Sequence, residues 1–207
     1  MDLIIAEGRH SVVLSIPHIG IAFKIFRKGY VRNADKEYSF LKILEHHDFP
    51  VPKPYNLLII NDYPILVREY IPGQHFNEFL DDSPPEKIVK VLKRVIELSF
   101  KLDEIGIFLD ELSNPTKNII VNSRGVFFID FERAQELRGN KSNVTQFLSF
   151  LIRVGKSSSQ LKKKLERFVN FDKLVELSKE FKQSKDLEKV LSEAFIGQPA
   201  HASSLPQ

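Results

Sequence analysis

The sequence lacks cysteine altogether, has a single methionine among 207 residues, and contains no long hydrophobic run. The absence of cysteine excludes disulfide bonds and thiolate metal sites. A membrane-spanning helix needs about 20 apolar residues, so no membrane association is predicted. The first residues have no basic start and only a short apolar run, so no secretory signal is predicted either. We therefore expect a cytoplasmic protein.

Basic and acidic residues nearly balance, because the formal net charge is only +3. The tight basic run Lys162-Lys163-Lys164 lies in a helical pattern, which predicts a solvated helix face, with contact to a phosphate-rich partner as the alternative. No nucleic-acid partner is expected, and we expect a monomer or weak oligomer. Apolar residues make up 43% of the chain, enough for a substantial core in one large domain or a small two-lobed one.

The first third of the chain has the pattern of strands. Short β-rich runs at residues 3–5, 11–15 and 21–25 are separated by glycine and proline. Residues 33–46 then show helical spacing of apolar side chains. Two further apolar runs flank Asn61-Asp62, which predicts a hairpin.

The segment Ile71-Pro72-Gly73 interrupts every pattern, so we predict a hinge at residues 71–73. It would separate a β-rich N-terminal lobe, residues 1–70, from a mostly helical C-terminal lobe, residues 74–197. Residues 198–207 have no periodicity and are predicted to be a flexible tail. This is an α+β, two-lobed arrangement, and a cleft between lobes is a usual ligand site.

The second half contains a long helical pattern after Ser83 and a hairpin before Asp130. Ser83 and Glu86 have the spacing of a capping box, with proline at the first helical position. Two apolar runs, at 118–121 and 126–129, flank a turn, and the pattern is helical again from residue 143.

Several polar residues stand where chemistry is expected. Asp130 ends the apolar strand 126–129, and a carboxylate there is costly unless it is paired or holds a cation. Lys24 lies within a strand, where a solvated edge residue is the ordinary interpretation. The functional interpretation is an ammonium group held by Glu37, which borders the inward face of the following helix.

Two segments are candidates for nucleotide contacts. The turn containing Gly8 and Ser11, followed by Val13, permits close backbone approach to phosphates, with a plain hairpin turn as the alternative. The backbone around Glu69 and Ile71 would offer a donor and an acceptor to an adenine edge, with an edge strand leaving the sheet as the alternative.

Taken in order, these residues resemble those of the protein-kinase-like superfamily. The resemblance covers roughly residues 3–150 and is strongest to the compact archaeal predicted Ser/Thr protein kinases related to RIO kinases and aminoglycoside phosphotransferases. It implies a kinase-like fold that binds ATP with Mg²⁺ (or Mn²⁺), the metal being held by Asn118 and Asp130. The nucleotide-binding residues it implies are Gly8, Ser11, Val13, Ala22, Lys24, Glu37, Glu69 and Ile71.

The catalytic loop departs from the family pattern. The family has an aspartate five residues before the metal-binding asparagine, but Ser113 stands at that distance from Asn118. If two residues are inserted, Glu111 takes the aspartate position, and Asp110 is the other candidate for the catalytic carboxylate. The alternative is that both are merely loop carboxylates.

The segment after Asp130 also departs from the pattern. Glu132 replaces the glycine of Asp-Phe-Gly, which removes a permissive backbone position and predicts a rigid metal-binding turn. No Ala-Pro-Glu follows, and residues 133–142 lead directly into a helix. We therefore predict a minimal activation segment without regulation by loop phosphorylation.

Four hypotheses about function follow. The first is an ATP-dependent phosphotransferase, an atypical Ser/Thr protein kinase using Mg-ATP. The second is a pseudokinase that serves as a nucleotide-binding or protein-interaction module, and the third is a small-molecule kinase. The acceptor, protein or small molecule, is not defined by the sequence. The fourth is an accidental set of matches, which predicts that Lys24 and Asp130 lie far apart.

Overall fold

The first third of the chain forms an antiparallel five-stranded sheet. The computed structural model describes residues 3–196, so the predicted tail at 198–207 lies outside the described residues. The strands are β1 (Ile4–Glu7), β2 (Ser11–Ile16), β3 (Ile21–Phe26), β4 (Pro54–Ile60) and β5 (Tyr63–Glu69). They are ordered β1-β2-β3-β5-β4. The predicted strands are thus confirmed, with ends shifted by one or two residues.

Helix α1 (Val31–His46) connects β3 to β4 and packs against β4 and β5. Its buried residues include Ala34, Glu37 and Leu41, which recur at helical spacing and face the sheet. The turn between β4 and β5 has positive φ at both Asn61 and Asp62, 50° and 69°. These are the angles of a tight hairpin turn that matches the twist of the strands.

The alternation of side chains along β3 and β5 determines which residues of these strands point toward α1. Ala22, Lys24 and Phe26 are buried on one face of β3, while the residues between them are only half-buried. In the pairing with β5, Ala22 lies opposite Arg68 and Lys24 opposite Leu66. Since residues two apart share a face of a strand, the sheet presents two cations, Lys24 and Arg68, toward the interior.

The rest of the chain is mainly helical. The helices are α2 (Phe76–Asp82), α3 (Pro85–Ile105), α4 (Asn143–Lys156), α5 (Gln160–Leu165), α6 (Leu174–Ser184) and α7 (Leu187–Ala194). Helix α4 packs between α3 and α6, and its Phe147, Leu148 and Leu151 are fully buried. Within the described residues, no helix has both the length and the apolar character needed to cross a membrane.

Two small sheets lie among these helices. Strands β6 (Gln74–His75), β8 (Ile119–Asn122) and β9 (Gly125–Phe128) form one antiparallel sheet in the order β6-β8-β9. Strand β7 (Ile107–Phe108) pairs with β10 (Gln135–Glu136). The segment after β9 is short, because α4 begins at Asn143, as predicted.

The predicted capping box at Ser83 is wrong. Helix α3 begins at Pro85, its N-cap residue is Pro84, and no side chain caps it. A residue before proline is disfavoured in the helical region, and Pro84 accordingly has an extended ψ of 152°. The prediction failed by one residue because it ignored the restriction that Pro85 places on Pro84.

The predicted hinge at 71–73 runs from β5 to β6, and its Gly73 packs against β8. Gly73 has φ of +149°, and a Cβ there would lie 2.6 Å from Val121 O and 2.6 Å from Ile120 Cγ2. Only glycine fits this close approach without a shift of the strand. The division of the chain into lobes at this point stays a prediction.

We expect Gly73→Ala to lower the free energy of unfolding by about 1–3 kcal/mol more than Gly125→Ala, because it overpacks a contact with backbone. Gly125 is the matched control, since its φ is also positive, +129°, but a Cβ there meets nothing within 4 Å. Urea unfolding of both variants measures the difference. Equal losses of unfolding free energy in the two variants would mean that the positive φ of Gly73, and not its close approach to β8, makes glycine necessary there.

Candidate active site

A buried ammonium group joins three parts of the fold. Lys24 on β3 donates a 2.6 Å hydrogen bond to Glu37 on α1 and a 3.0 Å hydrogen bond to Asp130, which follows β9. The side chains of Lys24 and Glu37 are only 4% and 0% exposed. The hypothesis of accidental matches predicted that Lys24 and Asp130 lie far apart, and it is wrong.

Lys24 and Asp130 each favour the charged form of the other, whereas burial raises the pKa of Glu37 above its usual value. Burial lowers the pKa of Lys24, but the carboxylates of Glu37 and Asp130 outweigh it and raise that pKa above its usual value. Burial likewise opposes ionisation of Asp130, yet Lys24, with a smaller contribution from Arg68, holds its pKa below the usual range. At neutral pH the site therefore contains a charged lysine and a charged aspartate.

Glu132 adds a third carboxylate beside Lys24. Carboxylate oxygens of Glu37, Asp130 and Glu132 lie within 4.8 Å of one another, and Lys24 Nζ is 3.9 Å from Glu132 Oε2. The ammonium group of Lys24 contacts all three carboxylates, so the three are arranged around this lysine. Glu132 Oε1 also lies 2.9 Å from Nδ1 of His10, whose ring stacks on Tyr30.

This contact brings the turn between β1 and β2 over the cluster. The backbone N–H of Gly8 donates to Ser11 O at 2.8 Å, which closes the turn, and Ser11 is buried. His10 lies between these two residues and reaches Glu132 on the opposite side of the cleft. The sequence around His10 gives no sign of this contact, since Glu132 lies far away in the chain.

The β8–β9 hairpin places Asn118 beside Asp130. Ile119 pairs with Phe128, and the backbone N–H of Ile129 donates to Asn118 O at 3.0 Å. The side-chain Nδ2 of Asn118 donates to Glu111, so its Oδ1 is the atom left to face a cation. A carboxylate oxygen and an amide oxygen at one strand end suit Mg²⁺, which prefers oxygen ligands. These residues therefore fit the metal that the family resemblance implies.

Glu111 is drawn into the same region, whereas Asp110 is not. Glu111 Oε2 accepts a 3.1 Å hydrogen bond from Asn118, and Oε1 lies 3.5 Å from Arg133 Nε. Burial and the nearby charge of Asp130 raise the pKa of Glu111 to about 7. Asp110 is exposed, and its carboxylate accepts a long 3.5 Å hydrogen bond from Gln146.

A buried polar cluster fixes the loop that carries Glu111. Asn143 donates to Ile107 O at 2.7 Å and accepts from the Leu109 N–H at 2.8 Å, so it holds both sides of Phe108. Asp103 in turn accepts two 2.7 Å hydrogen bonds from Asn143 and one of 2.6 Å from Ser142. The start of α4 thereby anchors the chain just before Asp110 and Glu111.

A cavity of about 340 Å³ lies between the five-stranded sheet and the β8–β9 hairpin. Its size is within the range of small-molecule sites. Four of the residues predicted to bind nucleotide line it, namely Val13, Ala22, Glu69 and Ile71. Arg68, Ile120 and Ile129 line it as well. A larger hollow of about 630 Å³ lies behind α1, and none of the predicted site residues lines it.

The family model described as RIO domain matches residues 24–153. The match begins at Lys24, continues through Glu37, Asn118 and Asp130, and ends within α4. This chain belongs to the RIO domain family. The expected kinase-like, two-lobed α+β fold and the resemblance to the protein-kinase-like superfamily are thereby confirmed, and the RIO domain implies ATP binding with a metal ion.

Two relatives extend this comparison. The chain is 36% identical over 88 residues to the KEOPS complex subunit Bud32 of Pyrococcus abyssi, an alignment that covers 42% of this chain and 39% of that protein. It is 25% identical over 116 residues to the uncharacterized protein MJ1211 of Methanocaldococcus jannaschii, covering 56% of this chain and 98% of that one. The chain thus spans well under half of the Bud32 protein.

Arg68 also contacts the Lys24 cluster, although it is not among the residues that the sequence predicts for the site. Its Nη1 donates to Ile129 O and lies 3.5 Å from Glu37 Oε1. It therefore links β5, α1 and the residue before Asp130. The signal was available, because Pro64, Leu66 and Arg68 alternate along β5 and an inward cation beside a predicted hinge is unusual.

We expect Glu111→Gln to change how the stability of the metal-free protein depends on pH. The pKa of Glu111 is about 7 in the folded protein and about 4.3 in an unfolded chain, so the folded state binds more protons between these values. Wild-type stability should therefore fall as pH rises from 5 to 7.5, relative to the variant.

Urea unfolding at several pH values measures this difference, and Asp110→Asn serves as the control. A wild type and a Glu111→Gln variant with parallel pH profiles would show that Glu111 is not buried against negative charge in solution.

Proposed function

We propose that this protein is an ATP-dependent phosphotransferase, an atypical Ser/Thr protein kinase that uses Mg-ATP, with Mn²⁺ as an alternative metal. The observation that carries the proposal is the pair of hydrogen bonds from Lys24 to Glu37 and Asp130. Phosphoryl transfer depends mainly on positioning and on electrostatic stabilisation of phosphate charge. A charged lysine that α1 holds beside a metal-binding carboxylate supplies both.

Each side chain has a distinct task in this proposal. Lys24 binds phosphate oxygens, and Glu37 keeps its ammonium group oriented toward the cleft. Asn118 and Asp130 hold the metal ion, which neutralises phosphate charge when it is bound. The lining of the cavity, including Ala22, excludes water from the base.

Glu111 is the better candidate for the residue that accepts the proton of the acceptor hydroxyl. Its carboxylate contacts Asn118, and its pKa of about 7 is near the value that suits a general base at neutral pH. Asp110 points to Gln146 instead. Glu111 lies in the turn Asp110–Ser113, and two residues inserted before Asn118 would account for its departure from the family spacing.

The acceptor in this proposal is a protein. The Bud32 relative is named as a subunit of a complex, which supports a partner protein for this chain too. A small-molecule acceptor is the alternative.

One observation favours a second function, that of a pseudokinase serving as a nucleotide-binding or interaction module. Ser113 stands at the family's aspartate distance, and the side chain of Ser113 donates to the backbone O of Asp110. Such a module would bind nucleotide through Lys24 and Asp130 but transfer no phosphate. Labelled ATP, used with wild type and Glu111→Gln, separates the two functions.

ATP with Mg²⁺ should raise the melting temperature of the wild type, because a ligand that binds only the folded state stabilises it. At a concentration about 100 times Kd, the gain is about 2.7 kcal/mol, or about 5–10 °C for a chain of this size. Lys24→Met should abolish this rise. A thermal-shift titration measures it.

Lys28→Met is the matched control, since Lys28 is exposed and pairs with Asp62 away from the cleft. It should keep the full rise. A wild type that shows no rise, or a Lys24→Met variant that shows the same rise, would contradict the proposal.

Asp130→Asn should remove the metal dependence of ATP binding, because it deletes the negative charge that attracts Mg²⁺ while preserving the shape of the side chain. Calorimetric titration with ATP, with and without Mg²⁺, measures the effect. Asp62→Asn, at an exposed carboxylate, should behave as the wild type does. Unchanged metal dependence in Asp130→Asn would sink the assignment of Asp130 as a metal ligand.

A further inference from the structure

His10 and Glu132 meet across the cleft at the end where Lys24 lies. His10 Nδ1 donates a 2.9 Å hydrogen bond to Glu132 Oε1, since a carboxylate accepts hydrogen bonds and does not donate them. His10 belongs to the turn between β1 and β2, whereas Glu132 follows β9. The contact is direct, so a phosphate group cannot lie between the two side chains while it persists.

The other oxygen of Glu132 faces the ammonium group to which the proposed function assigns phosphate. The side chain of Lys24 is only 4% exposed, so a phosphate oxygen reaches Nζ by replacing a carboxylate beside it. Glu132 Oε2 lies 3.9 Å from Nζ, compared with 2.6 Å for Glu37 and 3.0 Å for Asp130. Coulomb attraction weakens with distance, so Glu132 is the carboxylate that is most easily replaced.

The turn that carries Glu132 is held in place, but the side chain of Glu132 can rotate. Phe131 and Ala134, on either side of it, are fully buried, and the Ala134 N–H donates to Phe131 O at 3.0 Å. The carboxylate lies at the end of a flexible side chain that is 11% exposed. A rotation of this one side chain therefore frees the place beside Lys24 without any refolding of the turn.

His10 is held by contacts that do not depend on Glu132. Its ring stacks on Tyr30, which precedes α1, with 4.7 Å between the ring centroids. Its backbone O accepts a 2.9 Å hydrogen bond from the Arg27 N–H. When Glu132 rotates away, His10 Nδ1 therefore stays in the cleft as a donor. Together with Lys24 Nζ it faces the place that the carboxylate occupied.

We infer that Lys24 Nζ and His10 Nδ1 form a phosphate subsite of the cleft, and that Glu132 is an internal competitor for it. Before nucleotide binds, the Glu132 carboxylate takes the place of a phosphate group. When ATP binds, a phosphate accepts from both donors and Glu132 turns to solvent. Glycine, which stands at this position in Asp-Phe-Gly, has no side chain that could compete. The inference rests on the proposed function, since it concerns the phosphates of the same nucleotide.

Calorimetric titration of the full chain with Mg-ATP tests the competition. A competitor tethered in a site lowers the apparent affinity for a ligand according to the fraction of molecules in which it has left that site. Glu132→Ala should therefore bind Mg-ATP about tenfold more tightly than the wild type, the factor expected for one hydrogen bond to a charged group. Glu132→Gln, which keeps the volume of the side chain if Glu132→Ala fails to fold, should bind more tightly too.

Glu136→Ala is the control for the loss of one negative charge. Glu136 is exposed and pairs with Arg138, also exposed, at 2.7 Å. It lines the hollow behind α1 and not the cavity of the proposed nucleotide site. This variant should bind Mg-ATP as the wild type does.

His10→Phe tests the second donor, because phenylalanine can keep the stacking on Tyr30 but has no Nδ1. In the Glu132→Ala background it should weaken Mg-ATP binding about tenfold, since the phosphate loses a donor. With Glu132 present the change should be less than about threefold, because His10→Phe then removes a hydrogen bond from the competitor as well as from the phosphate.

Mg-ATP binding that is unchanged or weaker in both Glu132 variants overturns this inference alone, and weaker binding would mean that Glu132 helps to hold the nucleotide or its metal. Equal binding by Glu132→Ala with and without His10→Phe would remove His10 from the subsite and overturns the inference as well. If neither the wild type nor any variant binds Mg-ATP, the proposed function is overturned with it.

Discussion

The buried ammonium group of Lys24 is the interaction on which the site depends. Removing a charge of this kind from water costs several kcal/mol, and the cost is recovered only if opposite charges are close and well oriented. Glu37 and Asp130 meet that condition at 2.6 and 3.0 Å. The position of α1 on the sheet and the turn after β9 are therefore constrained by the same nitrogen atom.

Such a cluster is a poor way to gain stability. Buried ion pairs replaced by apolar residues of similar volume often leave a protein as stable as before, or more so. Here Lys24 and Arg68 face Glu37, Asp130 and Glu132 across the junction of two sheets, where leucine and phenylalanine would pack without any desolvation cost. A fold that keeps these charges keeps a set of groups that can exchange partners with phosphate and a metal ion, and this argues for ligand binding at the site.

The site residues that could be predicted are those whose place in a strand or helix is itself informative. Lys24 interrupts an apolar strand, Asp130 ends another, and Glu37 borders the inward face of a helix. The alternation along β5 indicates that Arg68 points inward, but its contact with Ile129 crosses the fold and has no local signal. The contact of His10 with Glu132 has none either. The short helix α2 was missed for another reason: its seven residues are too few to show helical periodicity.

The catalytic loop shows how far spacing alone can mislead. Counting five residues back from Asn118 leads to Ser113, which suggests that the carboxylate has been lost. In three dimensions the turn Asp110–Ser113 shortens the path, and the longer arm of glutamate brings Glu111 within 3.1 Å of Asn118. The Glu111 carboxylate thus reaches Asn118, the asparagine that we propose as a metal ligand, from a different place in the chain. A general base must lie within reach of the acceptor hydroxyl, whichever position of the chain supplies it. On the function proposed above, a glutamate on a tightened turn would do what an aspartate does on a regular loop.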